Sequence, residues 1–219
     1  LIARMVKFKP EERPDFNEIS HIFTRTVEQG ATDTALQMKI GEMVLQVQAG
    51  NLCEETTDAI INSTKKDLDL KFGAVSKAIL QEGGYSILDE CKKIGKTDKN
   101  GIAVTGAGKL PCKAIIHLEA GRSGWKELVF QAMKTAEANR FASVAMPALG
   151  TGNLGQNPEE VAIYILDGLA QFVEKQKPMH VKLVRITVFQ PHMVAPFHDE
   201  MNKPADSKND KSPRSNIAQ

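Results

Sequence analysis

The sequence predicts an α/β domain: a mixed, mostly parallel sheet with helices on both faces. Three observations predict it. Strand-like and helix-like segments alternate from about residue 39 to residue 201. The strand-like runs are short and mostly apolar, as in strands covered on both faces. Glycine, proline and asparagine mark the ends of these runs, where the chain must turn.

The elements follow in order. Met43 to Ala49 alternates, with Leu45, Val47 and Ala49 on one side and Gln46 and Gln48 on the other, which is a half-buried strand ended by Gly50-Asn51. Asp58-Ala-Ile-Ile-Asn62 is a short apolar strand. Val75 to Gln81 reads as a helix, and Gly83-Gly84 stops it. Ile102–Thr105 and Ala114–Leu118 are strands, separated by Gly106, Gly108 and Pro111. In the next segment Trp125, Leu128, Val129, Ala132, Met133 and Ala136 recur at helical spacing. Ser143–Met146 is a buried strand halted by Pro147. After the glycine-rich stretch Leu149–Gly155 a helix begins with Asn157 as cap, Pro158 at its first position and Glu159 and Glu160 in its first turn, where the helix dipole favours them. Val161, Ile165, Leu169, Phe172 and Val173 form its apolar face. Val181–Phe189 is the last strand.

The flanks differ. Residues 1–30 form a short amphipathic opening with Pro10 and Pro14 inside it. Residues 203–219 turn to Lys, Asp, Asn, Ser and Pro, too little apolar surface to offset ordering entropy, so a disordered tail is expected. The chain opens on Leu1 rather than Met, which we read as a piece of a longer protein.

Composition narrows the partners. The formal net charge is +1, whereas proteins that grip duplex nucleic acid show a stronger basic bias. Aromatic residues make up 5%, few for a single-strand stacking platform, so nucleic acid is argued against. A small anion remains open, because backbone N–H groups hold anions without formal charge. The cysteines Cys53, Cys91 and Cys112 are odd in number and form no C-x-x-C pair, which points to a reducing, intracellular location in cytoplasm or nucleus. The five histidines lack metal-ligand spacing. No apolar run is long enough to span a membrane, and no secretory signal is read.

Three segments leave strand ends with binding chemistry, at the place where α/β sheets take ligands. Gly50-Asn51-Leu52 follows the first strand and serves either as a tight turn or as a contact to a base edge. Asn62 ends the second strand, and Gly73-Ala74-Val75 then opens a helix, either as a plain connection or as an anion site at a helix N-terminus. Leu149–Gly155 places three glycines between a strand and a capped helix, a nest of N–H groups. It lacks the Lys-Ser or Lys-Thr of a phosphate loop and the spacing of a dinucleotide fingerprint. Two such loops in one small domain suit a diphosphate, which needs donors from two sides.

Asp58-Ala-Ile-Ile-Asn-Ser63, Gly73-Ala-Val-Ser-Lys-Ala-Ile79, Gly83-Gly84 and Pro147-Ala-Leu-Gly-Thr-Gly-Asn-Leu-Gly155, in this order, resemble the macro domain over about residues 39–201, some three quarters of the chain. The resemblance is to the macro modules of the multi-macro-domain mono-ADP-ribosyltransferases of the poly-ADP-ribose polymerase family, through Val104–Leu118, Val188-Phe-Gln-Pro-His192 and Phe197-His198. It implies a three-layer α/β/α macro-domain fold and ADP-ribose, or mono-ADP-ribosylated protein, as ligand, with no cofactor and no metal. It also implies roles. Asn51 stands where family members carry an acid for the adenine amino group, and Leu52 gives adenine a backbone donor. Asn62 matches the asparagine beside the distal ribose. Gly73, Ala74 and Val75 match the first phosphate-binding loop, and Gly150, Thr151, Gly152, Asn153 and Leu154 the second. Phe189 matches an aromatic that stacks on adenine; a strand-end core phenylalanine is the alternative.

Family members that remove ADP-ribose carry a longer glycine run in the first loop, some with an acid that activates water. Here Lys66–Phe72 precedes the single Gly73, with Asp67 and Asp69 as the local acids, and both are expected to face solvent. Binding without turnover is therefore the expectation, with no catalytic residue assigned. The alternatives are an ADP-ribosyl-protein hydrolase and a degenerate macro domain that binds RNA or another nucleotide, or serves as a spacer.

The opening resembles a different family. Leu1-Ile-Ala-Arg-Met-Val, Lys9-Pro-Glu-Glu-Arg-Pro14 and Phe16-Asn-Glu-Ile19 look like the end of a protein-kinase C-lobe. The glutamate that would pair Arg13, the glycine loop and the catalytic and metal-binding aspartates have no counterpart in this chain, so no kinase chemistry is expected of it. A linker helix remains the other reading.

Overall fold

In the computed structural model, residues 36–203 are described. The kinase-like opening and the tail beyond residue 203 lie outside them.

Seven strands form one sheet in the order β1-β2-β7-β6-β3-β5-β4. They are β1 (Leu36–Ile40), β2 (Met43–Ala49), β3 (Ala59–Thr64), β4 (Ile102–Gly106), β5 (Ala114–Glu119), β6 (Ser143–Met146) and β7 (Leu183–Val188). The five inner strands run parallel, and β1 and β4 close the edges antiparallel. Among the described residues five α-helices accompany them: α1 (Ala74–Gly83), α2 (Tyr85–Ile94), α3 (Trp125–Ala138), α4 (Pro158–Gln176) and α5 (Val194–Asn202).

The pleat of the inner strands explains the layers. Neighbouring residues point to opposite faces, so a strand apolar throughout feeds two cores. Ile61, Ile116, Val144 and Met146 join α3, α4 and Phe197 of α5 on one face. Ile60, Ile115 and Ala145 join Ile79 of α1, Ile87 and Cys91 of α2, and Leu68 and Leu70 of the β3–α1 loop on the other. The arrangement is the expected three-layer fold.

Three elements were not read from the sequence. β1 pairs β2 through a two-residue turn, where Gly41 has φ +61°. α2 starts one residue after Gly84, which does end α1: Gly84 has φ +87° and its N–H donates to the Leu80 carbonyl at 3.1 Å. α5 packs Phe197 into the core, with Pro196 in its first turn, where the missing N–H has no intrahelical partner to lose.

The connections set the site. β3 leads through α1 and α2 toward β4 on one side, while its neighbour β6 leads through α4 to β7 on the other. The chain thus parts in opposite directions at the carboxyl ends of two adjacent strands, a topological switch point.

Candidate functional site

Apart from Asn62, which lies inside β3, the expected site residues sit in segments that follow the carboxyl ends of β2, β7, β6 and β3. Register makes the first two neighbours: Ala49 lies opposite Val188, and the Gly50 N–H donates to the Val188 carbonyl at 3.0 Å. Asn51 caps a single 3-10 turn, Leu52–Glu54, with its Oδ1 accepting from the Cys53 N–H at 3.0 Å and its Nδ2 donating to Glu54 Oε1 at 3.1 Å. Of the two sequence readings of Gly50-Asn51, the turn is present, capped by Asn51. The side chain of Leu52 is buried, and its N–H meets no acceptor among the described residues. Phe189 follows β7 and is 81% exposed, so it is no core phenylalanine.

Asn62 is the residue the structure places against expectation. Its side chain is fully buried, and both ends of its amide are taken. Nδ2 lies 3.2 Å from His117 Nδ1, and Oδ1 accepts from Ser76 Oγ at 3.0 Å. His117 Nε2 in turn lies 2.9 Å from Thr105 Oγ1. An amide nitrogen can only donate, so Nδ1 accepts and Nε2 carries the proton. Burial pushes the His117 pKa down to about 4, which keeps this neutral tautomer. Asn62 thus belongs to a buried chain, Thr105–His117–Asn62–Ser76, running from β4 through β5 and β3 into the first turn of α1. It lies within β3, buried beneath the edge.

The first loop is pinned. Leu68 and Leu70 are buried, and Leu68 takes φ +57° to reach its place. Asp67 Oδ1 accepts from the Asp69 N–H at 3.3 Å, and Asp69 Oδ1 from the Lys71 N–H at 2.9 Å. Both acids thus support the loop's own turns. Phe72 is half exposed, with Lys65 Nζ 3.4 Å from its ring centre. Gly73 adopts φ +86° before α1, and no side chain caps that helix or places an acid in its first turn. The first-turn amides of Ala74 and Val75 are therefore open toward the edge.

The loop after β6 is held at its base and open at its crest. The Gln156 N–H donates to the Gly150 carbonyl at 3.1 Å, and Trp125 Nε1 donates to Gln156 Oε1. Thr151 is tied to the Ala148 carbonyl by its N–H at 3.3 Å and by Oγ1 at 2.8 Å. Gly150 has φ +81°, and a Cβ there would stand 2.4 Å from Gln156 Oε1. The amides of Gly152, Asn153 and Leu154 have no acceptor among the described residues. By contrast the N-terminus of α4 is closed, because Asn157 Oδ1 takes the Glu159 and Glu160 amides.

Sequence reasoning missed His117, Thr105, Ser76 and Glu54. Only Glu54 left a signal, since Asn51-x-x-Glu54 has the spacing of a helix-capping pair. A shallow hollow lined by Lys65, Lys66, Asp67, Gly95 and Lys96 lies beside the first loop. None of the expected residues line it. We place the candidate site at the switch point, where amide donors are oriented and unpaired. The buried thiols offer no nucleophile: burial pushes Cys53 up to about 12 and Cys91 to about 11.

A family model described as Macro domain matches residues 61–165. The chain is 33% identical over 144 residues to the O-acetyl-ADP-ribose deacetylase of Salmonella gallinarum, covering 80% of that protein and 60% of this chain. The chain belongs to the macro domain family. It is also 38% identical over 167 residues to the protein mono-ADP-ribosyltransferase PARP14 of Homo sapiens, over 76% of this chain. That match spans 9% of the human protein's length. Among solved structures, an Oceanobacillus iheyensis macrodomain with ADP superposes with TM-score 0.68 at 21% identity, covering 78% of this chain and 96% of that one. At that identity the likeness speaks for the macro-domain fold alone.

Proposed function

We propose that this macro domain binds ADP-ribose, free or as the mono-ADP-ribosyl group of a protein, and reads it without removing it. The observation that carries the reading is the pair of open amide sets at the switch point. Ala74 and Val75 offer the dipole end of α1, with Gly73 letting the chain approach closely. Gly152, Asn153 and Leu154, on the loop that Gly150 and Thr151 anchor, offer a nest from the adjacent strand. A diphosphate bridging β3 and β6 would meet donors from both sides. Adenine would then lie toward β2 and β7, on the exposed ring of Phe189 and near the free N–H of Leu52 and the Asn51 turn. Asn62 would act from beneath, holding the start of α1 through Ser76.

Hydrolysis is the second reading, favoured by the deacetylase among the relatives. The single glycine before α1, where family members that remove ADP-ribose carry a longer run, supports reading over cleavage, and the local acids Asp67 and Asp69 each spend one oxygen on a turn amide.

Calorimetry with ADP-ribose tests the proposal against Gly152→Glu. A Cβ at Gly152 meets nothing within 4 Å, so the variant folds while placing bulk and negative charge at the nest. We expect at least a tenfold loss of affinity, about 1.4 kcal/mol or more. Equal binding by both proteins would remove the second loop from the site. Incubation with a mono-ADP-ribosylated protein, followed by mass spectrometry, separates the two readings: the modification should persist.

A further inference from the structure

We propose that Glu54 is the residue that selects adenine at this site, in place of an acid at position 51. The inference rests on the ADP-ribose reading above and deepens it.

The argument begins with what adenine presents. Its exocyclic amine is a donor with two hydrogens, and a site that recognises it must turn an acceptor toward it. Asn51 is poorly placed to be that acceptor. Its side-chain carbonyl is turned back onto the Cys53 N–H at 3.0 Å, in the turn that the residue caps, and what it keeps is one uncharged lone pair. Its remaining atom, Nδ2, is a donor and would repel an amine. That donor is spent on Glu54 Oε1, 3.1 Å away. The bond ties Glu54 Oε1 to the turn that follows β2, and its second oxygen has no protein partner among the described residues. Glu54 is exposed, so its second oxygen is open to solvent or ligand.

The neighbouring acid cannot take this role. Glu55 is buried, with Oε2 2.7 Å from Arg185 Nη1 and Oε1 bonded to Thr187 Oγ1 and, at 3.3 Å, to Gln48 Nε2. It ties β2 to β7 from within. Glu54 is therefore the free carboxylate of this turn, which Leu52 opens and which follows the β2 end paired with the end of β7 before Phe189. Amide and acid form one unit: Asn51 fixes the turn and aims the charge, and Glu54 supplies the charge-assisted acceptor.

The test compares ADP-ribose with inosine diphosphate ribose, whose 6-oxo group puts an acceptor where adenine has its amine. Calorimetry on the full chain should show wild type preferring ADP-ribose. Glu54→Gln should weaken ADP-ribose by about threefold to tenfold, the scale of one charge-assisted bond near solvent, and collapse the preference. Its thermal midpoint should not move, since the lost charge is exposed. The exchange variant Asn51→Asp with Glu54→Gln restores an acid–amide pair with the roles reversed, and should recover both affinity and preference. Equal weakening for both ligands, or an unchanged preference in Glu54→Gln, would overturn the assignment. If wild type binds neither ligand, the ADP-ribose reading itself falls and takes this assignment with it; if wild type binds ADP-ribose and Glu54→Gln binds it equally, only the role of Glu54 falls.

Discussion

His117 sets a slope on stability against pH. In the unfolded chain its imidazole takes a proton near pH 6.5, and in the fold only near pH 4. Between these values the unfolded state binds the extra proton, so stability is fully present above pH 6.5 and falls as pH drops toward 4. The sign is that of a depressed pKa. A shift of this size corresponds to a loss of about 2 kcal/mol by pH 5. Asp58, lowered chiefly by its bond to Lys113, adds a loss of the same sign at more acid pH. His117→Gln keeps a donor and an acceptor in the chain but does not titrate. Urea unfolding at pH 7 and pH 5 should therefore show a smaller drop for His117→Gln than for wild type, and equal drops would mean that the imidazole is not held neutral.

At the scale of elements, the loop after β6 divides into a fixed base and an open crest, and glycine substitutions separate them. Gly150→Ala forces a side chain into φ +81° and against Gln156 and Trp125 Nε1, at 2.4 Å and 2.8 Å. It should cost on the order of 1–3 kcal/mol and release the Gln156 clamp. Gly152→Ala meets no neighbour and needs no left-handed backbone, so its unfolding midpoint should stay within the error of wild type. Denaturant titration of the two variants checks the contrast; equal midpoints would mean the base is not strained as described. The same loop shows what the sequence made legible. Its glycines, the Asn157 cap and the switch from strand to helix are written in local chemistry, as are β2, β3, β5, β6 and α4. α2 was hidden because Gly83-Gly84 reads as an end, and few apolar residues, with Ile87 and Cys91 the buried ones, announce the helix that follows at once. The burial of Asn62 was hidden for a different reason. A polar residue at a strand end looks the same whether its amide meets a ligand or a buried histidine, and the partners, His117 and Ser76, come from β5 and α1. Phe189 is the converse: its exposure depends on what does not cover it, which only the assembled sheet decides.

At the scale of the molecule, the sheet carries a core on each face, and the proposed ligand would touch it through backbone amides at one edge. That makes amide hydrogen exchange a direct readout, because the donors themselves carry the exchanging protons. On adding ADP-ribose, exchange should slow at Ala74 and Val75 and at Gly152, Asn153 and Leu154, two segments far apart in sequence and joined through the pairing of β3 with β6. The first turn of α4 provides the internal control. It is also a helix N-terminus at the same edge, but Asn157 already holds the Glu159 and Glu160 amides, and the two carboxylates repel an anion. Protection there should not change. Slowing at α4 with none at residues 152–154 would move the diphosphate to the wrong helix and refute the site. Slowing confined to residues 74–75 would leave a single-sided anion contact, too little to hold a diphosphate by the pair of loops proposed. Joint protection of both segments, lost in Gly152→Glu at residues 152–154 and weakened at 74–75, would show that the two amide sets bind one ligand, since only a bridging group couples loops that lead away to opposite faces of the sheet.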